Sequence, residues 1–311
     1  MSEKKTIALA GVGNCGMYFC EELSLDNRYD VVVLTRQKNK SFNNPKVNTQ
    51  VTDYSEDSVL SILNATGSSA LISLVRCPEE QYISLHQGFL NACIRSIKCK
   101  RFIPSEWAGN IEDFPDLPGE YGKTRAPFRT ILQQSHGIEW TLFCHGWFME
   151  YFIPEDKSYM THLPGEFPID LKSWSYCVRG TGEEPQTWTC GRDVAKAVAE
   201  LLAAPQWEPV TYIAGERGTF NKAAKQMEEF YGRPFSRTYR SINDIKESLK
   251  QHRDDGDSLQ LGLAEAEEWT VSGATACPED KTRRQLVKYF SKIKFSTLEE
   301  LLIQAEAVDK I

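Results

Sequence analysis

The stretch "IALAGVGNCGMYFCEEL", residues 7–23, carries three glycines at the spacing G-x-G-x-x-G: Gly11, Gly13 and Gly16. An apolar run of strand character leads into it and a run of helical pattern leaves it. A dinucleotide pyrophosphate needs backbone N–H donors at a helix N-terminus and a backbone that can come close. Gly11 permits the sharp turn out of the strand, Gly13 removes a side chain where phosphates pass, and Gly16 lets the helix lie close on the sheet. The spacing alone is common. Its place between a strand and a helix, at the start of an alternating pattern, reads as a phosphate cradle and not as a bare structural turn.

Outward from this stretch, short apolar runs alternate with helical ones. "TIALAG" (6–11), "YDVVVLTR" (29–36), "VNTQVTDY" (47–54), "ALISLV" (70–75), "RFIPS" (101–105) and "GIEWTLFCHGWF" (137–148) read as strands. "MYFCEEL" (17–23), "DSVLSILNA" (57–65) and "EEQYISLHQGFLNACIRSI" (79–97) read as helices between them. Such alternation predicts an α/β fold, a Rossmann-like doubly wound parallel sheet with right-handed crossovers. Residues 152–186, rich in Pro, Gly and polar groups, read as loops with short strands. "GRDVAKAVAELLAAP" (191–205) reads as a strong helix and "VTYIAG" (210–215) as a strand. "FNKAAKQMEEFYG" (220–232) reads as an amphipathic helix stopped by glycine. "STLEELLIQAEA" (296–307) opens with a capping box of Ser296 and Glu299. We therefore expect a dinucleotide-binding domain over 1–151, with 187–214 returning to it. A smaller, helix-rich C-terminal substrate-binding part is expected over 152–186 and 215–311.

The 311 residues are 41% hydrophobic and 25% charged, an ordinary globular composition long enough for a large core. The net charge of -7 excludes a basic nucleic-acid binder, the short "KCKR" cluster (98–101) notwithstanding. No apolar run approaches a membrane span, and "MSEKKT" passes straight into a strand with no signal peptide. The nine cysteines are scattered and never spaced C-x-x-C, which argues against zinc and against a disulfide framework. A reducing, cytoplasmic location is the expectation, with no metal. Asp254, Asp255 and Asp257 in "QHRDDGDSLQ" (251–260) lack calcium-loop spacing and read as a solvated loop.

The end of the second strand selects the cofactor. An acidic residue there would bind the ribose 2′-OH of NAD; this chain has "VVVLTRQKNK", with Thr35 and Arg36 at that point. Arg36 can fork onto a 2′-phosphate and stack on adenine, with Lys38 or Lys40 adding charge. The cofactor expected is NADPH.

The segments "TIALAGVGNCG", "LTR", "CKRFIPSEWAGN", "GIEWTLFCHGWF" and "GRDVAKAVAELLAAP" follow one another in an order that resembles the NmrA-like and isoflavone-reductase-like proteins, atypical short-chain dehydrogenase/reductases. The resemblance covers about residues 5–215, and the fungal branch associated with secondary metabolism is the most similar. It implies an NADPH-binding Rossmann domain, a small C-terminal substrate domain and a cleft between them. It implies that the N–H groups of Asn14 and Cys15 face the pyrophosphate. Val75 and the segment Pro104, Ser105 and Glu106 would line the nicotinamide side. Reductases of this family carry a lysine after the "PSEF" motif as general acid or base, which makes Lys123 in "EYGKTRAPFRTILQQ" the candidate. The spacing differs from the family's by about one helical turn, and Pro127 requires the helix to start at Arg125 or Ala126.

His145 follows the sixth strand, at the carboxyl end of the sheet where ligands bind, and could donate to a substrate carbonyl; a structural role is the alternative. Trp107, Trp147, Phe148 and Tyr151 are candidates for an aromatic substrate pocket or for core between the domains. The expected function is an NADPH-dependent reductase passing hydride to a C=C, C=O or C=N carbon of an aromatic or polycyclic small molecule. The alternatives are an NAD(P)-sensing regulator without turnover and a cyclase or isomerase using the same cleft. Oligomeric state stays open.

Overall fold

The structure, a computed structural model, describes residues 4–37, 44 and 46–311. The first half alternates as β1 (Lys5–Ala10), α1 (Asn14–Leu25), β2 (Tyr29–Thr35), β3 (Val47–Val51), α2 (Glu56–Thr66), β4 (Ala70–Ser73), α3 (Glu79–Arg95), β5 (Arg101–Ile103), α4 (Arg125–Gln134) and β6 (Glu139–Trp140). The six strands form one parallel sheet in the order β3-β2-β1-β4-β5-β6. This is the doubly wound arrangement that the alternation predicts. The order reverses between β1 and β4, and a ligand of such a sheet sits outside the strand ends at that point.

Period-two alternation along β1 serves both faces of the sheet. Ile7 and Leu9 enter a core with Tyr18, Phe19 and Leu23 of α1, whereas Ala8 and Ala10 enter another with Leu63 of α2 and Phe89 of α3. Burial on both faces explains why β1 and β2 read as nearly continuous apolar runs.

The remaining elements are β7 (Leu142–Cys144), β8 (Trp147–Phe148), β9 (Ile169–Asp170), β10 (Ser175–Arg179), β11 (Gln186–Thr189), α5 (Gly191–Ala203), β12 (Val210–Tyr212), β13 (Glu216–Gly218), α6 (Phe220–Tyr231), β14 (Ser236–Arg240), α7 (Ile242–Asp255), α8 (Ser258–Val271), α9 (Glu279–Tyr289) and α10 (Leu298–Ala307). Helix α5 packs its Val194, Ala197, Val198 and Leu201 on the α1 side of the main sheet. A third core gathers Trp147, Phe152, Phe167, Trp188, Phe220 and Trp269. Phe290, at the end of α9, belongs to the first core, so the last hundred residues also help cover the main sheet.

Three expectations are corrected. "GIEWTLFCHGWF" is not one strand. It breaks into β6 on the main sheet, β7 beside β12 and β8 beside β11. The break between β7 and β8 falls at Gly146, where φ is +75° and an added Cβ would lie 2.1 Å from the Thr187 carbonyl oxygen, so only glycine fits. The capping box of α10 is shifted by one residue: Thr297 Oγ1 accepts from Glu300 N–H, and the Glu300 carboxylate accepts from Thr297 N–H. The charge run at 251–260 is not a loop. It is the end of α7, a left-handed Gly256 cap and the start of α8, with Asp257 accepting from Gln260 N–H. A two-residue break, Gly256 and Asp257, is enough to join two helices when each end is capped.

Candidate active site

One cavity of about 1020 Å³ opens at the switch point. At one end its wall is Gly11, Gly13, Asn14, Cys15, Thr35, Arg36 and Tyr54; in the middle, Val75, Arg76, Ser105, Trp107, Tyr121 and Arg125; at the far end, Trp147, Phe148, Tyr151, Glu166, Leu263, Glu265 and Trp269.

The glycine end is shaped by backbone. Gly11 turns at φ +84°, and a Cβ there would lie 2.8 Å from Val75 Cα and N. Gly16 passes 2.8 Å from the Gly11 carbonyl by the same measure, so it brings α1 onto the sheet and stays outside the cavity wall. A Cβ at Gly13 would meet nothing within 4 Å, because that side faces the cavity. Gly13 is also the N-cap of α1. No side chain caps the helix and its first turn holds no acidic residue. The first N–H groups of α1 are therefore open toward the cavity at the positive end of the helix dipole, the donor set that a pyrophosphate requires. Burial pushes the Cys15 thiol up to about 12, with the Glu150 carboxylate adding to the effect. The side chain is thus a neutral thiol beside the phosphate seat. The Asn14 side-chain amide oxygen accepts from the Thr161 hydroxyl at 3.2 Å.

Arg36 lies exposed at the rim with its guanidinium 5.7 Å from the Tyr54 ring centroid. Tyr54 is fixed by donating to the Leu34 carbonyl at 2.9 Å. The cation and ring together leave a slot for a purine and a charge for a phosphate beside it. Lys38 and Lys40 lie outside the described residues.

Behind the glycine loop sits Glu150, fully buried. Its Oε1 accepts from Gly191 N–H at 2.6 Å and from the Cys190 thiol at 3.3 Å, while Oε2 has no partner among the described residues. Burial raises its pKa to about 7 against the pull of the Gly191 N–H.

At the middle of the cavity, Ser105 and Val75 line the wall. Pro104 is buried beneath them and does not reach the wall. Glu106 is buried and paired with Arg129 at 2.6 Å. Trp107 holds a positive φ of 44° and donates its indole N–H to the Ser73 carbonyl at 3.0 Å. That bond anchors a strained backbone at the cleft.

The two catalytic candidates do not stand on the wall. Lys123 follows a 3₁₀ turn, Gly119–Gly122, and its side chain is 67% exposed, with Nζ 3.3 Å from Glu79. The helix does start at Arg125, as Pro127 requires, but this start turns Arg125 and not Lys123 toward the cavity. His145 is wholly buried behind Phe148, at 4.3 Å between ring centroids, with both ring nitrogens unpartnered among the described residues. Burial drives its pKa down to about 3, which favours the neutral imidazole.

The aromatic candidates do meet. Trp147 lies 5.8 Å from Tyr151 and 4.7 Å from Trp269, and Tyr151 stacks on Phe167 at 5.3 Å. Sequence reasoning missed Tyr54, Arg76, Glu166 and the α8 residues Leu259, Leu263, Ala266 and Trp269. The α8 set repeats at helical spacing, a signal hidden by reading 251–260 as a loop. No helix among the described residues is long and apolar enough to cross a membrane.

No family model matches the chain. It is 36% identical over 300 residues to the oxidoreductase swnR of Arthroderma benhamiae, spanning 96% of both chains. It is 33% identical over 303 residues to the oxidoreductase swnR of Metarhizium robertsii, spanning 96% of this chain and 97% of that protein. Among solved structures, AtPrR2 with NADP+ and (+)pinoresinol superposes at a TM-score of 0.74 and 18% identity, covering 97% of this chain and 99% of that one. The binary complex of leucoanthocyanidin reductase and NADPH from Vitis vinifera gives 0.73 at 15% identity, covering 97% and 100%. At these identities the structural likeness is one of fold. With 36% of residues shared over nearly its whole length, the chain belongs to the oxidoreductase family of the two swnR proteins and carries the fold of the isoflavone-reductase-like reductases that its sequence resembles.

Proposed function

We propose that this chain is an NADPH-dependent reductase, acting in the cytoplasm on an aromatic or polycyclic small molecule of secondary metabolism. The observation that carries the reading is the continuity of one cavity from the uncapped N-terminus of α1 to the aromatic wall of Trp147, Tyr151 and Trp269. NADPH bound there would supply hydride to a C=C, C=O or C=N carbon. Gly11, Gly13, Asn14 and Cys15 would hold its pyrophosphate, Thr35 and Arg36 its 2′-phosphate, and Val75 and Ser105 the nicotinamide side. Trp107, Trp147, Phe148 and Tyr151 would pack on the substrate and exclude water. Residues 152–186 and 215–311 supply the substrate-binding part, and 1–151 with 187–214 the dinucleotide-binding part. The structures that bind NADP+ or NADPH with this fold support the cofactor assignment, and pinoresinol in one of them supports an aromatic substrate.

The test begins with nucleotide affinity measured by fluorescence. NADPH is expected to bind at least tenfold more tightly than NADH, a preference lost in Arg36→Ala, since about 1.4 kcal/mol corresponds to each factor of ten. Equal affinities would remove the cofactor assignment. With a metabolite panel, a product two mass units heavier supports reduction. A product of unchanged mass identifies a cyclase or isomerase, and tight binding without turnover identifies a sensor.

A further inference from the structure

The middle of the cavity holds a buried cation that no carboxylate neutralises closely. Arg125 is the first residue of α4, and its side chain is 12% exposed. Its guanidinium lies between two aromatic rings, 4.3 Å from the centroid of Tyr82 and 4.3 Å from that of Tyr121. Both rings are held in place: Tyr82 donates to the Ser105 carbonyl at 2.9 Å and Tyr121 to the Glu106 carbonyl at 3.0 Å. The slot fixes the plane of the guanidinium, so its orientation entropy is already removed.

Its hydrogen bonds are few. Nη1 reaches Thr124 Oγ1 at 3.1 Å and, loosely, the half-exposed Glu120 carboxylate at 3.5 Å. Nε is buried without a partner, and Nη2 has no partner among the described residues. The other two deeply buried arginines are served differently. Arg129 pairs with Glu106 at 2.6 Å and donates to the Pro115 carbonyl; Arg179, whose Nε is likewise without a hydrogen-bond partner among the described residues, has both Nη groups bound to the carbonyls of Glu166 and Gly165. A buried charge left short of partners is costly, and such a group at a cavity wall is poised for an anion from the ligand. The neighbouring tyrosines and glutamates hold the guanidinium further toward its charged form. It is thus a fixed charge and not a proton donor.

Resting on the reductase reading above, we propose that Arg125 is the oxyanion-binding residue of this cavity. The substrate class it selects is a ketone or enone, whose oxygen becomes anionic on reduction. Hydride, the reducing equivalent of NADPH, adds to the carbonyl carbon or the enone β-carbon. The displaced π electron pair moves to oxygen, giving an alkoxide or enolate that the guanidinium holds. Water then delivers the proton, leaving hydroxide to the solvent. The task assigned elsewhere in such folds to a lysine ammonium is here divided: Arg125 supplies charge and solvent supplies the proton.

The probe is 4-nitrophenol, whose colour reports its ionisation when bound. It is titrated into the protein alone and into the protein with saturating NADP+, with Arg125→Gln and Arg125→Lys in parallel. Wild type is expected to bind the phenolate ~10–100-fold more tightly than Arg125→Gln does, in line with hydrogen bonds to charged groups. The bound phenol's apparent pKa falls in wild type, falls in part in Arg125→Lys and does not fall in Arg125→Gln. Circular dichroism establishes that each variant is folded, and Arg125→Met, which also removes the charge, replaces Arg125→Gln if that variant is not. Equal phenolate affinity in wild type and the folded variant overturns the proposal, as does no binding by wild type at millimolar probe. NADPH affinity, read separately, tests the reductase reading. A chain that binds phenolate through Arg125 but not NADPH would retain the anion site and lose that reading.

Discussion

The two ends of the cavity differ in how they are built. The phosphate end comes from chain segments close in sequence, residues 11–16 and 35–36, and its donors are backbone N–H groups at a helix end. The far end is assembled from the bend after β7, the segment before β9 and, from much later in the chain, α8, and side chains make it. Backbone geometry tolerates almost any neighbour but no Cβ at Gly11. Side-chain geometry tolerates many residues but depends on every element behind it.

That contrast can be broken at three points. The largest effect is expected at the phosphate end. Gly11→Ala forces a Cβ to 2.8 Å from the Val75 backbone at φ +84°, and should cost roughly 2–5 kcal/mol of stability in denaturant unfolding or abolish NADPH binding. A variant of unchanged stability and affinity would show that this end is not backbone-limited.

A middle-sized effect comes from Glu150, buried behind the glycine loop and bonded to the start of α5. Its pKa, 4.5 ordinarily and about 7 when folded, means that the native chain keeps a proton that the unfolded chain releases. Stability should therefore fall as pH rises from about 4.5 to about 7, by up to roughly 3 kcal/mol. Glu150→Gln keeps an acceptor for Gly191 N–H and removes the titration, so its unfolding free energy should be flatter across that window. A wild-type profile as flat as the variant's would mean that Glu150 stays ionised.

The smallest effect is expected at Lys123. Its exposed contact with Glu79 is worth at most about 0.5 kcal/mol, and Lys123→Ala should leave both stability and turnover nearly unchanged. A large loss of kcat in this variant would restore Lys123 to the site and count against Arg125.

The same contrast explains what could be read in advance. Arg36 was legible because its place follows directly from the end of β2 at Thr35. Lys123 and Arg125 are two positions apart, and which of them faces the cavity depends on the 3₁₀ turn at Gly119–Gly122 and on where α4 begins. Pro127 marks that beginning but not the direction in which its first residue points. His145 reads the same way from sequence whether it lies on the wall or behind Phe148. Trp269 was invisible as a wall residue, because only the packing of α8 brings it to Trp147.

Local chemistry alone settled the strand-turn-helix of the glycine loop, the parallel sheet and the position of Arg36 just past the end of β2. These rest on dihedral preference, hydrophobic period and donors a few residues apart, all short-range. The facing of Arg125, the burial of His145 and the assembly of the aromatic wall were decided in three dimensions. Each depends on contacts between elements far apart in the chain, and no local pattern encodes which side of a helix or bend those contacts will leave open.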